Sequence, residues 1–143
     1  MLYTTFRLAK DANACIDSYR KMGRELGIIK YGKDTPIPLT KVLEVCRLND
    51  ALWTLRCATD QPAADKLARI FACDCAWRVL PLYEKQYPND KRIRDCIETT
   101  RRFLIGEASK EELESAESAA RSAVWSAEIE WQTKHLKELL LGD

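Results

Sequence analysis

Cysteines, one histidine, and a few carboxylate and guanidinium pairs are the residues of this chain that could do chemistry. The thiols are Cys15, Cys46, Cys57, Cys73, Cys75 and Cys96. A zinc site wants CxxC pairs, or Cys and His at short spacing. The only close pair is Cys73-Asp74-Cys75, whose side chains diverge by about 200° on a helix. His135, the only histidine, lies far along the chain. No metal and no cofactor is therefore expected, and the thiols read as small buried side chains of a reducing compartment. Catalysis fares no better. There is no Gly-rich phosphate loop and no nucleophile elbow, and Glu111 and Glu114 share a helix without a partner that would make them an acid–base pair. No catalytic residue is assigned, and the expectation is a protein that is not an enzyme.

Three charged constellations remain. Asp74 and Arg78 stand i, i+4 on one helix, bracketed by Leu67, Ile70, Phe71 and Trp77. If that face is buried, so is the ion pair, which reads as structural; a charged pocket floor is the alternative. Arg92, Arg94, Arg101 and Arg102 make one helix basic and would suit a phosphate or other anion. Glu111, Glu112 and Glu114, with Trp125 further along the same helix, would suit a basic protein partner. Charge is divided in the same sense: residues 1–108 hold 19 Lys and Arg against 14 Asp and Glu, whereas residues 109–143 hold 4 against 8.

Helices must position all of these. Leu8, Ala12, Cys15, Ile16, Tyr19, Met22 and Leu26 keep the 3–4 spacing of one buried stripe, which predicts a first helix over about 8–26 ending at Gly27. IIKYGKDTPIP, about 28–38, reads as a loop because of Gly32, Pro36 and Pro38. Two short helices follow, about 39–47 and 50–58, with Asn49 capping the second. They invite a helix-turn-helix reading, but the second offers phosphate only Arg56, so nucleic-acid binding is disfavoured. Asp60-Gln61-Pro62 starts a central helix over about 63–87 that is apolar almost all round, the mark of a helix buried among neighbours. A basic helix runs from about 89 to 105. Ser109 and Glu112 have capping-box spacing and open a final helix over about 109–141. The fold expected is all-α: a single-domain bundle of five to six helices around a buried central helix, with a long C-terminal helix.

The totals agree. A length of 143 residues suits one core, and a net charge of +1 with 31% charged residues points to no general nucleic-acid binder. No apolar run approaches the ~20 residues of a membrane span, and the start lacks the apolar core of a signal peptide, so a cytoplasmic protein is expected.

Against this background KYGKDTPIPL, LNDALWTLR, DKLARIFACDCAWRVLPLYEKQYPNDKR and FLIGEAS resemble the putative immunity protein family, small helical proteins of bacterial genomes, phages and prophages. The resemblance spans nearly the whole chain, and its most specific part is the central run with YPNDKR. SAVWSAEIEW is similar to a shorter version of the Ala- and Trp-rich final helix of that family. The resemblance implies a protein that binds and neutralises a toxin made by the same or a neighbouring cell. The alternative is a phage-encoded counter-defence protein that binds a host defence component or sequesters a nucleotide signal. A third reading is a homo-oligomeric assembly factor.

Overall fold

The structure, a computed structural model, describes residues 1–141, with the side chains at 138, 140 and 141 left undescribed. The described residues form eight α-helices, one 3-10 turn and a single pair of two-residue strands. Contacts gather in two units, one over Met1–Arg69 and one from Ile70 onward.

In the N-terminal unit, β1 (Tyr3–Thr4) pairs antiparallel with β2 (Ile37–Pro38), Tyr3 opposite Pro38 and Thr4 opposite Ile37. The expected first helix is two. Helix α1 (Phe6–Asp11) begins at Thr5, whose hydroxyl accepts from the Leu8 N–H at 3.1 Å. It ends where Asn13 turns left-handed at φ 61°. The N–H groups of Asn13 and Ala14 then reach back to the carbonyls of Lys10 and Ala9. This is the Schellman closure, and Asn is one of the few side chains that tolerates its αL position. The apolar stripe runs through the break, which is why periodicity alone missed it.

Helix α2 (Ile16–Leu26) stops at Gly27, left-handed at φ 65°. The stretch read as a loop then starts with a single helical turn, α3 (Ile28–Tyr31). Helices α4 (Leu39–Val45) and α5 (Leu48–Thr54) follow. Asp50, not Asn49, caps α5: its carboxylate accepts the Arg47 N–H at 3.3 Å. A 3-10 turn over Leu55–Cys57 leads on. Phe6, Met22, Ile37 and Val42 form one buried cluster, with Tyr19 and Tyr31 set edge-on to Phe6 at 5.4 and 6.4 Å. Leu55, Ala58 and Ala64 form a second, packed by Leu2, Leu39, Leu52 and Ala68.

Helix α6 (Gln61–Gln86) starts as the sequence predicts, the Asp60 carboxylate accepting the Ala63 N–H at 3.0 Å. It passes from the N-terminal unit into the C-terminal one, which it shares with α7 (Arg92–Leu104) and α8 (Lys110–Leu141). There Cys73 and Leu80 of α6 meet Ile97 of α7, with Ala76 and Ile93 beside them. Helices α7 and α8 pack along each other, burying Leu113 and Ala123 of α8. Gly106, left-handed at φ 79°, closes α7 by a second Schellman turn, with the Glu107 N–H on the Arg102 carbonyl at 2.8 Å.

The all-α expectation and the long last helix are both met. The buried central helix is not. Leu67, Ile70, Phe71, Trp77, Val79 and Leu82 of α6 are exposed, Leu82 to 73%. In the C-terminal unit the Cys73–Ala76–Leu80 side of α6 takes the packing. An apolar pattern all round a helix shows what it could bury, not how many neighbours it has.

Candidate functional site

Apolar exposure and charge come together in the C-terminal unit at Trp77. On α7, Arg94 and Arg101 are seven residues apart, two helical turns, so they point the same way. Both guanidiniums lie over the Trp77 ring, Arg101 at 4.9 Å from its centroid and Arg94 at 5.0 Å. At that range an arginine is held by the negative face of the indole. Carboxylates of α6 fix both cations. Glu84 takes Arg94 through two parallel bonds of 2.7 Å, and Asp74 lies 3.4 Å from Arg101. The two-pronged bond holds the Glu84 carboxyl below its ordinary range and pushes Arg94 up. Trp77 nevertheless remains 39% exposed, with Ile70, Phe71, Val79 and Leu82 exposed on the same helix.

Asp74 and Arg78 do not form the buried pair expected of them. Both side chains are exposed, and Asp74 bonds Arg101 of the neighbouring helix instead. Their burial was inferred from the apolar residues around them, and that face is open.

The four arginines of the basic helix are each engaged by an acceptor. Arg92 makes a two-pronged bond to Asp90, at 2.9 and 2.6 Å, and Arg102 donates to the Glu107 carbonyl at 2.8 Å and lies 3.9 Å from Glu112. With Arg94 on Glu84 and Arg101 on Asp74, the carboxylates offset much of the positive potential a phosphate would seek.

At the start of α8, Ser109 and Glu112 exchange the two bonds of a capping box, 2.7 and 3.1 Å. Glu114 faces Lys110 at 3.6 Å, and Glu111 is exposed. Trp125 stands about 20 Å further along the helix at 1.5 Å per residue, so the glutamates and the tryptophan are not one local cluster. Trp125 is 70% exposed and borders an apolar groove of about 560 Å³ with Ala76, Ile93, Ile97, Ala120 and Val124.

Among the described residues no three His, Cys, Asp or Glu side chains gather as metal ligands. Cys73 is buried and Cys75 exposed on α6. His135 stacks on Trp131, ring centroids 5.0 Å apart. Among the described helices, none is long and apolar enough to cross a membrane.

The segment that builds the Trp77 face is also the one with known relatives. Residues 61–130 match the family described as Imm-5 like putative immunity protein. The family resemblance read from the sequence holds over that segment, which runs from the first residue of α6 into α8. Residues 1–60 lie outside it, although the sequence reading extended the likeness across them. No curated protein and no solved structure matches the chain. Within the Imm-5 like segment lie Asp74, Trp77, Glu84, Arg94 and Arg101, every residue of the aromatic–cation face.

Sequence reasoning missed that face. From the sequence Trp77 reads as core and the arginines as an anion site, because nothing local to either helix says that they meet. The seven-residue spacing of Arg94 and Arg101 was the available signal.

Proposed function

We propose that the chain is a non-enzymatic immunity-type protein that binds and neutralises a cognate protein toxin, and that Trp77 with Arg94 and Arg101 anchors the contact. One observation carries this: the segment that matches the immunity family holds a tryptophan, 39% exposed, with two arginines over its ring. Tryptophan and arginine are the residue types most enriched where truncation costs an interface dearly. Glu84 and Asp74 hold both guanidiniums in place before binding, so less side-chain freedom is lost on association. Inhibition needs only a rigid surface complementary to the toxin and no chemistry of its own. The nucleotide-sequestering alternative draws no comparable support, because its four arginines are already engaged.

The test starts from the tagged chain purified from the cells that encode it. A co-purifying protein is then expressed in a naive host, alone and with the chain. The expected result is growth arrest by the partner and relief by the chain. Trp77→Ala, folded by circular dichroism, should weaken the complex by about 30-fold or more, the size of a hot spot of about 2 kcal/mol. A partner that is harmless alone would overturn the neutralisation reading. Unchanged affinity in Trp77→Ala would overturn the assignment of the surface.

A further inference from the structure

The N-terminal unit contains a feature that the family match does not cover and the proposed function does not use. A cavity of about 230 Å³ lies among α1, α2, α4 and α5, walled by Phe6, Ala9, Tyr19, Met22, Val42 and Trp53. Protein interiors hold few voids larger than a water molecule, and a void forfeits the dispersion contacts of every group on its wall. This cavity is partly open to the surface, and in a unit of 69 residues it is large enough to admit a small apolar body.

Its polar edge indicates what kind. Ser18, Cys46 and Asp50 line the cavity and also line a second concavity of about 550 Å³. That second space is bordered by Arg20, Lys21, Arg24 and Arg47. None of these four cations has an ion-pair partner among the described residues, in contrast to the arginines of α7. Two carboxylates, Asp17 and Asp50, also border the space. Asp50 is occupied locally, accepting from the Ser18 hydroxyl at 2.6 Å and from the Arg47 N–H at 3.3 Å. The apolar pocket and a surface with cations in excess thus share a rim made by Ser18, Cys46 and Asp50.

We propose that this depression binds a small amphiphilic anion, its aromatic or branched apolar body in the cavity and its carboxylate or phosphate head among Arg20, Lys21, Arg24 and Arg47. The cavity lies below the ~300–1,000 Å³ of drug-sized sites, which limits the body to one or two rings. Arginine forks match both head groups with paired, charge-assisted bonds. This site is independent of the protein-partner reading, since it shares no residue with the Trp77 face.

Calorimetric titration of the full chain tests it, with indole as the bare apolar body and indole-3-acetate and phenyl phosphate as bodies carrying the two heads. Both anions should bind about tenfold or more tightly than indole, the effect of one good charge-assisted contact. The gap should close in the Arg20→Gln/Arg47→Gln double variant, whose altered side chains are exposed. Ala9→Phe, which fills the cavity, should remove binding of all three compounds. Either order of the two anions supports the site. Anions binding no tighter than indole, or a preference that survives the double variant, would overturn it. So would undiminished binding in Ala9→Phe. Should Ala9→Phe fail to fold, the double variant decides alone.

Discussion

Asp90 shows how much a single side chain organises. Its carboxylate takes both prongs of the Arg92 guanidinium, the Arg92 N–H at 3.1 Å and the Tyr83 hydroxyl at 2.9 Å. Helix α6 is thereby tied to the first residue of α7 across the Tyr87-Pro88-Asn89 corner. The Arg92 bond is the chief reason the Asp90 carboxyl is held well below the usual carboxylate range. Burial, then the Asp90 bond, pushes the Tyr83 phenol up to about 12. The two signs differ. A depressed carboxyl contributes stability that is whole above its unfolded value near 4 and drains away as pH falls from there toward the folded value. A raised phenol contributes stability that is whole below about 10 and is lost as pH rises through the folded value near 12. Asp90→Asn should therefore cost about 1 kcal/mol at pH 7, modest because Arg92 is partly solvated. Its deficit relative to the parent chain should shrink steadily below pH 4. Urea midpoints from pH 7 to pH 2 measure this, and a deficit constant across that range would refute the assignment.

At the scale of elements, helix ends were more legible than helix environments. Ser109 and Glu112 announced α8 from their spacing alone, and Asp60-Gln61-Pro62 announced α6, because capping is chemistry among residues adjacent in sequence. The break at Asn13 was hidden, since Asn can sit in a helix or end one and the apolar stripe continued past it. The strand pair Tyr3–Thr4 with Ile37–Pro38 was equally hidden, being two residues long and made between segments more than thirty residues apart. The exposed face of α6 was misjudged because the same apolar residues serve a core or a docking surface, and only the neighbours decide. The capping box offers a measurement at this scale. Ser109→Ala should lower stability in the C-terminal unit by about 1 kcal/mol. Glu112→Gln, which keeps a capping acceptor but gives up the carboxylate charge in the first turn and the long contact to Arg102, should cost less than that. Equal losses in urea denaturation would mean that the charge of Glu112, not the geometry of the cap, holds the helix start.

For the whole molecule, what matters is where the cores lie. Phe6, Met22, Ile37 and Val42, then Leu55, Ala58 and Ala64, cluster with apolar residues that all lie before Arg69. Cys73, Leu80 and Ile97 cluster with residues beyond it. Helix α6 serves both sets, with Ala64 and Ala68 in the first and Cys73 and Leu80 in the second. This partition matches the division of chemistry: the Imm-5 like segment carries the Trp77 face, and the amphiphile depression lies wholly before it. Two cores with no shared residue should open independently, each with its own free energy. Phe6→Ala, which empties a side chain only 2% exposed, should cost the first unit about 3–5 kcal/mol. Hydrogen exchange should then speed up across α2 and α4 while α7 and α8 keep their protection. Leu80→Ala, at about 2–5 kcal/mol, should do the reverse, and in both variants the protection along α6 should change near Arg69 and Ile70. Exchange that accelerates equally in both units with either substitution would mean that α6 makes the chain one cooperative block. A partner bound at Trp77 would in that case stabilise the depression of the N-terminal unit as well, and the two sites could not be treated as separate.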